Sequence, residues 1–262
     1  MPRSVQIVRV FTRGDAGGNS LGVLTDITGL ETIQMQAIAH ELGFSESTFV
    51  DWEPGRIPQV RIFTPQVEME FAGHPLVGTS WVLNNLGQGG VTQMQCPVGM
   101  VDTHTEGDVV WIETSLGQPI AQRTDDLLPR AGMPAPARIH TVAMPKEYTV
   151  AEYSDGAIVA GLAPVMEVLR ETFGLLAFAR DGNAVHSRFF APVGGVNEDP
   201  ATGSAAVALA AVLEAQGEGS GSVVISQGDE MGAPSTIQLS WAEGRASIGG
   251  TVVSDEARLL DV

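Results

Sequence analysis

Residues 205–213 read AAVALAAVL, a run of nine apolar residues with good helix formers. A helix made of this run has no polar face, so it must be buried on every side, for example inside a curled sheet. The segments that follow it, at 222–226, 237–241 and 246–253, have the composition and alternation of strands. They favour a strand-rich α+β domain over a parallel doubly wound sheet.

The same region carries one copy of an internal repeat. The copies are HPLVGT at 74–79 and DPATGS at 199–204, preceded by RIFTP at 61–65 and RFFAP at 188–192. Each copy predicts a strand that leads through a short loop into a helix beginning at Pro75 or Pro200, because proline suits the first helical position. The free backbone N–H groups at two such helix starts would be ready to bind an anion.

The length of the chain agrees with a duplication. With 262 residues, it can form two domains that are each large enough to bury a core of their own. We expect the boundary near 116–119, which divides the chain into residues 1–118 and 119–262. The last residues could return to pack on the first half.

The charge of the chain argues against nucleic-acid partners. It has 14 Lys and Arg against 31 Asp and Glu, a net charge of −17, whereas affinity for a phosphate backbone comes mainly from clustered basic residues. No apolar run approaches the ~20 residues that span a bilayer, and the first residues lack the apolar core of a signal peptide. The single cysteine, Cys96, excludes an intrachain disulfide. We expect a cytoplasmic protein that binds neither membrane nor nucleic acid.

Motifs for common cofactors and metals are missing from the sequence. The five histidines show no close ligand spacing, so a metal site would have to be assembled entirely by the fold. There is no Gly-x-Ser-x-Gly elbow, no phosphate-loop lysine motif and no dinucleotide fingerprint after a strand. We therefore expect no metal.

Glu46 is the sharpest candidate for acid–base chemistry. In a regular strand over 44–52, Glu46 shares a face with the apolar Val50 and Trp52. Burial there would disfavour the charged carboxylate, which suits a group that takes up and returns a proton near neutral pH. The alternative is that Gly43 shifts the register and leaves Glu46 in solvent. The opposite face of the strand would carry Ser45, Ser47, Asp51 and Glu53.

His74 and Asp199 occupy equivalent places in the repeat. Asp199 before Pro200 is a preferred helix N-cap, and that structural role alone would explain it. Histidine is not a favoured cap, so His74 before Pro75 needs another reason, such as bonding a ligand or titrating near neutrality.

Small residues flank these two positions. Gly73, Gly203 and Ser204 could present N–H groups to a carboxylate or an enolate. The alternative is that Ser204 and Thr79 only satisfy the first turns of their helices.

Three motifs in this order resemble the phenazine-biosynthesis PhzF-like isomerase family: GFSESTFV at 43–50, FAGHP at 71–75 and EDPATGSA at 198–205. The similarity runs through most of the chain, from Gly18-Asn19 to the QG pair at 227–228. Ser20 and Ala233 depart from the family pattern, which usually has Pro and Arg there. The family's fold resembles diaminopimelate epimerase. It implies an α+β fold of two pseudo-symmetric domains, each a curled, mostly antiparallel sheet around a central helix, with the active site between them.

The resemblance also implies roles for individual residues. Glu46 would be the acid/base that moves a proton, and His74 and Asp199 would belong to the same catalytic site. Related epimerases use two cysteines, which the single thiol of this chain excludes. The substrate-binding residues would be Gly73, Gly203, Ser204 and Asn19.

The leading hypothesis is a cofactor-independent isomerase of a small carboxylate-bearing metabolite, which shifts a proton through Glu46. The first alternative is a two-base epimerase that pairs Glu46 with His74 or Asp199. The second is a binding protein that kept the anion pocket without catalysis. Members of the family are often dimers, so a homodimer is expected.

Overall fold

The structure, a computed structural model, describes residues 2–53, 55–88, 90–122 and 126–261, with only the backbone described at 87, 88, 119–122 and 261. The strands are β1 (Pro2–Val10), β2 (Asn19–Leu24), β3 (Glu46–Asp51), β4 (Gln59–Phe63), β5 (Glu68–Met69), β6 (Gln93–Cys96), β7 (Gly99–Glu106), β8 (Val109–Ser115), β9 (Gln118–Gln122), β10 (Arg138–Ala143), β11 (Glu147–Tyr153), β12 (Gly174–Asp181), β13 (Ala184–Ala191), β14 (Val196–Asp199), β15 (Ser220–Gln227), β16 (Ser235–Ala242), β17 (Arg245–Ser254) and β18 (Arg258–Asp261). The α-helices are α1 (Thr32–Leu42), α2 (Gly73–Leu83), α3 (Leu127–Arg130), α4 (Gly156–Ala160), α5 (Met166–Leu169) and α6 (Gly203–Ala215).

The strands form one continuous sheet of 18 strands within the described residues, which curls into two rings with the same order of connections. In the first half, β1 pairs with β2, β2 runs parallel to β3, β3 pairs with β4, and β4 runs parallel to β6. The ring continues through β7 and β8 to β17, which returns to β1. In the second half, β10 to β13 and β15 to β17 repeat this pattern. The second ring is completed by β8 and β9, which follow each other in the chain: β8 pairs with β17, and β9 pairs with β10.

Each ring encloses one helix. The first eleven residues of α6, at 203–213, are all buried, and α2 is buried along its length except for Trp81. Both helices contribute to one continuous apolar core with the inward faces of the strands. The prediction that residues 205–213 form a helix surrounded by sheet is confirmed, because β10, β11, β16 and β17 pack around α6.

The remaining helices cover the outside of the rings. Met35, Ile38 and Leu42 of α1 pack with Phe49 and Phe63 on the outer face of β3 and β4. Gly43 ends this helix with φ of 67°, a left-handed conformation that suits glycine. Met35, Ile38, Ala39 and Leu42 recur at helical spacing in the sequence, and Gly43 follows them, so this helix and its end can be predicted from local spacing.

The repeated strands of the two halves are structurally equivalent, since the same ion pair occurs in both. The guanidinium of Arg61 in β4 bonds both carboxylate oxygens of Glu68, each at 2.7 Å. Arg188 in β13 bonds both oxygens of Glu198 at 2.7 and 2.8 Å. The RIFTP and RFFAP segments are therefore equivalent, as the sequence predicts.

The predicted helix starts at Pro75 and Pro200 are wrong. The helices begin at Gly73 and Gly203, which are 130 positions apart, whereas the two prolines are 125 apart. Pro75 is the third residue of α2, where the first turn also leaves its missing N–H unneeded. Pro200 lies in extended chain before α6, and the N-cap of α6 is Thr202 rather than Asp199. The HP and DP pairs are thus out of register by five residues.

The end of the chain joins the first half. Strand β18 pairs antiparallel with the beginning of β1, and β17 pairs with both β1 and β8. The division into residues 1–118 and 119–262 stays a prediction. None of the helices within the described ranges combines the length and the apolar character needed to cross a membrane.

Candidate active site

The two central helices meet at their N-termini. A Cβ atom built on Gly73 would lie 2.9 Å from the Cα of Gly203, and one built on Gly203 would lie 2.9 Å from the Cα of Gly73. Both distances are shorter than a van der Waals contact between carbon atoms. Glycine at both positions therefore lets the positive ends of two helix dipoles converge on one place.

Glu46 lies at the start of β3, beside this meeting point. Its strand neighbour Thr48 bonds Thr79 of α2 at 2.8 Å between hydroxyl oxygens, so this face of β3 looks toward the central helix. The Glu46 side chain is 17% exposed. Its Oε2 lies 3.1 Å from Nδ1 of His74. The angles at this contact are not those of a hydrogen bond, so Oε2 has no hydrogen-bond partner among the described residues. Burial on the face of Val50 is as predicted.

His74 is the second residue of α2 and is almost completely buried. Its Nδ1 faces Glu46 and also lies 3.5 Å from the amide nitrogen of Asn19. Its Nε2 is buried and has no hydrogen-bond partner within the part of the chain that the structure describes. Folded proteins rarely contain buried polar atoms without hydrogen-bond partners. A ring nitrogen and a carboxylate oxygen of this kind are typical of a catalytic or ligand-binding site.

Asp199 ends β14 and accepts three hydrogen bonds from side chains. Asn19 donates at 2.9 Å and Ser45 at 2.5 Å to Oδ1, while Thr202 donates at 2.5 Å to Oδ2. Burial and the negative charge of Glu46 raise the pKa of Asp199 to about 6, although His74 and the two hydroxyl donors act in the opposite direction. With this pKa, about one molecule in ten carries a proton on this carboxyl group at pH 7, and the fraction rises as the pH falls.

Ser45 belongs to this site, contrary to the predicted face. The alternation places it opposite Glu46, but the regular strand begins only at Glu46, so the side chain of Ser45 turns to Asp199 and to Asn19 Oδ1 at 3.2 Å. Phe44 also precedes the regular strand. Alternation over 44–52 would place it on the face of Glu46, but it packs with α1 on the outer face of the sheet.

Gln227 fixes the turn before α6. Its Nε2 donates to the backbone oxygen of Asp199 at 2.7 Å and to the Thr202 hydroxyl at 3.1 Å. Its Oε1 accepts from the backbone N–H of Thr202 at 3.4 Å and from the Ser187 hydroxyl at 3.5 Å, so the buried amide is bonded at both ends and holds the turn in place. Local spacing did not mark Gln227 as a site residue, although it lies in the QG pair that resembles the family.

A cavity with walls from both halves opens beside these groups. It encloses about 410 Å³ of empty space, including its open mouth. The polar side carries Glu46, Asp199 and Ser204, and an aromatic side carries Tyr148, Phe173 and Phe189. In the described part of the chain, no three His, Cys, Asp or Glu side chains come together in a way that could hold a metal ion.

The comparisons with known proteins show the family to which the chain belongs. A family model described as phenazine biosynthesis-like protein matches residues 8–255. The chain belongs to this family. It is 37% identical over 257 residues to a trans-2,3-dihydro-3-hydroxyanthranilate isomerase of Pseudomonas fluorescens, with 92% of this chain and 90% of that protein covered. It is 33% identical over 279 residues to an uncharacterised isomerase of Mesorhizobium japonicum, with 90% of each chain covered.

Solved structures of the phenazine biosynthesis-like family and of related folds superimpose on the whole chain. A PhzF family protein of Enterococcus faecalis matches with a TM-score of 0.81 and 22% identity over 100% of both chains. A probable proline racemase from Agrobacterium radiobacter matches with a TM-score of 0.73 and 12% identity, covering 99% of this chain and 93% of that one. The predicted fold class is confirmed, and the chain is an enzyme of the isomerase class.

The predicted site residues come together in one place. Asn19, Gly73, His74, Glu46 and Asp199 are linked by the contacts described above. Ser204 lines the same cavity, and Gly203 touches Gly73. The roles of these seven residues in binding and catalysis stay predictions.

Proposed function

We propose that this enzyme shifts a proton within a small carboxylate-bearing substrate, with Glu46 as the acid/base. Glu46 would remove a proton from a carbon next to a carbonyl or conjugated group and return it to another carbon on the same face. The observation that carries the proposal is Glu46, which lines a cavity between the halves and whose buried Oε2 has no hydrogen-bond partner among the described residues. A base within reach of a substrate proton is the first requirement of such a step.

Negative charge that develops on the substrate would be stabilised by the two helix starts. The first backbone N–H groups of α2 and α6 have no intrahelical acceptors, and their dipoles converge where Gly73 meets Gly203. Donors fixed in this way before the reaction stabilise an oxyanion or enolate without reorganisation. His74 and the protonated form of Asp199 would add side-chain donors at the same place.

The substrate class follows from the polarity of the cavity. The site offers N–H and hydroxyl donors that favour an anion, and the aromatic side of the cavity suits an unsaturated or cyclic body. The Pseudomonas fluorescens relative is named for the isomerisation of trans-2,3-dihydro-3-hydroxyanthranilate, a cyclic unsaturated carboxylate. That compound is the first candidate to test for this chain.

The test is turnover of a panel of unsaturated carboxylates, beginning with trans-2,3-dihydro-3-hydroxyanthranilate, followed by NMR. We expect the wild type to convert at least one of them. Glu46→Gln should lower the rate at least about 100-fold, since general acid–base catalysis contributes this much or more. Glu41→Gln changes an exposed glutamate of α1 and should leave the rate unchanged.

Undiminished turnover by Glu46→Gln would refute the assignment of the base. Binding of the same carboxylates without any conversion would instead favour a binding protein that uses the same anion pocket.

The raised pKa of Asp199 favours one second candidate, a two-base epimerase. A protonated Asp199 would deliver a second proton while Glu46 removes the first. The two reactions differ in the origin of the hydrogen, because a single base can return the hydrogen that it removed, whereas a second acid delivers one exchanged with solvent. Turnover in D₂O distinguishes them: hydrogen retained in the product supports the shift, and full deuteration with inverted configuration supports the epimerase.

A further inference from the structure

Tyr148 forms part of the cavity wall next to Ser204. It lies on β11 of the second half and is 4% exposed. Its ring packs against Phe173 and Phe189, with ring centroids 5.6 and 5.8 Å away. These aromatic contacts fix the position of the ring, so the hydroxyl is held at one point of the cavity wall.

The hydroxyl of Tyr148 donates a hydrogen bond of 3.0 Å to Oγ of Ser204. Burial raises the pKa of Tyr148 well above its usual range, and the nearby carboxylates of Glu46 and Asp199 act in the same direction, against the opposite effect of the Ser204 bond. The phenol therefore keeps its proton throughout the neutral pH range, and that proton is directed at Ser204.

A serine hydroxyl can accept one hydrogen bond and donate another. Because Ser204 accepts from Tyr148, its own hydrogen is directed to a different acceptor. Ser204 is the second residue of α6, lines the cavity and lies among the N–H groups that begin the helix. An anion in front of this helix start is the acceptor that fits the direction of the Ser204 hydrogen.

We propose that Tyr148 is a positioning residue for the substrate carboxylate: its hydrogen bond orients the hydroxyl of Ser204 so that Ser204 donates to that carboxylate. The inference rests on the proposed function, in which the substrate carries a carboxylate. Two hydrogen bonds in series polarise each other, so Ser204 is a stronger donor when it accepts from Tyr148.

Binding of two probes tests this role without a known substrate. 2-Aminobenzoate carries a carboxylate, and 2-aminobenzamide replaces it with a neutral amide of similar shape. We expect Tyr148→Phe, which keeps the ring and its packing, to weaken binding of 2-aminobenzoate roughly five- to tenfold, the effect of one lost hydrogen bond. Binding of 2-aminobenzamide should stay within about twofold of the wild type, because an uncharged group gains less from a polarised donor.

Ser204→Ala and the double variant test the connection between the two residues. Because Tyr148 acts through Ser204, the double variant should bind 2-aminobenzoate no more weakly than Ser204→Ala alone. Tyr153→Phe is the matched control. It removes a buried hydroxyl from the same strand, but that hydroxyl donates to the backbone oxygen of Pro134 in the outer layer, so binding should not change.

Three results would overturn the proposal for Tyr148: additive losses in the double variant, equal losses for both probes, or binding of 2-aminobenzoate by Tyr148→Phe at wild-type strength. If the wild type itself does not bind 2-aminobenzoate but converts a neutral substrate, the carboxylate pocket is refuted and the role of Tyr148 with it. Turnover of a carboxylate that depends on Glu46 but not on Tyr148 would leave the proposed function standing and refute only this inference.

Discussion

Replacing Gly73 by alanine should separate the two helix starts on which the site depends. The added methyl group would overlap Cδ1 of Ile248 and stand 2.9 Å from Cα of Gly203. Carbon atoms in contact are about 3.5–4.0 Å apart, so the two backbones would have to move by at least about 0.6 Å. The tip of Ile248 can turn away, but the backbone of Gly203 cannot move without the rest of α6, which is packed on every side.

The expected cost follows from overpacking in a close-packed interior, about 1–3 kcal/mol. In a chain of this size each kcal/mol lowers the melting temperature by about 2–4 °C, so Gly73→Ala should melt roughly 2–12 °C below the wild type. The displaced helix starts should also lower turnover of the identified substrate by about 100-fold, the effect of a misplacement approaching 1 Å. Thermal unfolding by circular dichroism measures the first effect, and steady-state kinetics measures the second.

Two further variants identify the source of the effect. Gly219→Ala is the matched control, because a Cβ at Gly219 has no atom within 4 Å and its backbone is not left-handed. Adding Ile248→Val to Gly73→Ala should recover only part of the loss, since the contact with Gly203 remains. If Gly73→Ala and Gly219→Ala melt at the same temperature, or if Ile248→Val restores full stability and turnover, the close approach of the helices is not the reason for glycine at this position.

Two variants test the electrostatics of Asp199. The pKa of Asp199 in the folded protein, about 6, lies above the ordinary 3.8. Its proton therefore stabilises the fold fully below pH 3.8, and this contribution is lost as the pH rises through 6. Because Asp199→Asn does not titrate, its free energy of unfolding relative to the wild type should rise by about 2 kcal/mol between pH 4 and pH 7. Urea unfolding at both pH values measures this difference, and a gain in the opposite direction would contradict the raised pKa. Ser45→Ala removes a donor that lowers the pKa of Asp199, so an NMR titration of that carboxyl should give a pKa above the wild-type value, and an unchanged or lower pKa would refute the role of this bond.

The sequence predicts the frame of the fold because burial leaves a periodic pattern. Residues 205–213 are apolar on every helical face, so the helix must be buried all round, and an enclosing sheet is one way to achieve this. The spacing of apolar residues in α1, with Gly43 after it, predicted a helix and its end for equally local reasons. The alternation of β3 also placed Glu46 correctly on the face of Val50.

The positions where helices begin could not be predicted in the same way. Proline is accepted anywhere in the first helical turn, so Pro75 does not mark the first residue of α2. Pro200 ends an extended segment, for which proline is just as suitable. The contact that decides the register, Gly73 against Gly203, joins residues 130 positions apart and leaves no periodic signal.

Most of the missed site residues have the same explanation. Ser45 precedes the regular strand, so alternation assigns it to the wrong face. Tyr148 lies in a strand that reads EYTVAEY, where Tyr148 and Tyr153 turn out to face opposite sides of the sheet. The raised pKa of Asp199 depends on Glu46, which arrives from the other half of the chain. Long-range contacts of this kind are not encoded in local spacing.

The two halves share the same order of strands and helices, but they carry different side chains at equivalent positions of the site. Strand pairing matches Phe63 to Ser47 in one half and Phe190 to Leu175 in the other, which makes Gly174 the equivalent of Glu46.

The second residues of the two central helices are likewise different, His74 in α2 and Ser204 in α6. Pairing of β4 with β5 and of β13 with β14 makes Met69 the equivalent of Asp199. One half therefore supplies a carboxylate next to a histidine, and the other supplies a carboxyl group held by three donors next to a serine. A reaction that inverts a stereocentre needs a proton-transferring group on each face of the reacting carbon, whereas both oxygens of Asp199 are occupied by donors and Oε2 of Glu46 is not. This asymmetric pair suits a reaction in which one group moves the proton and the other half holds the charge.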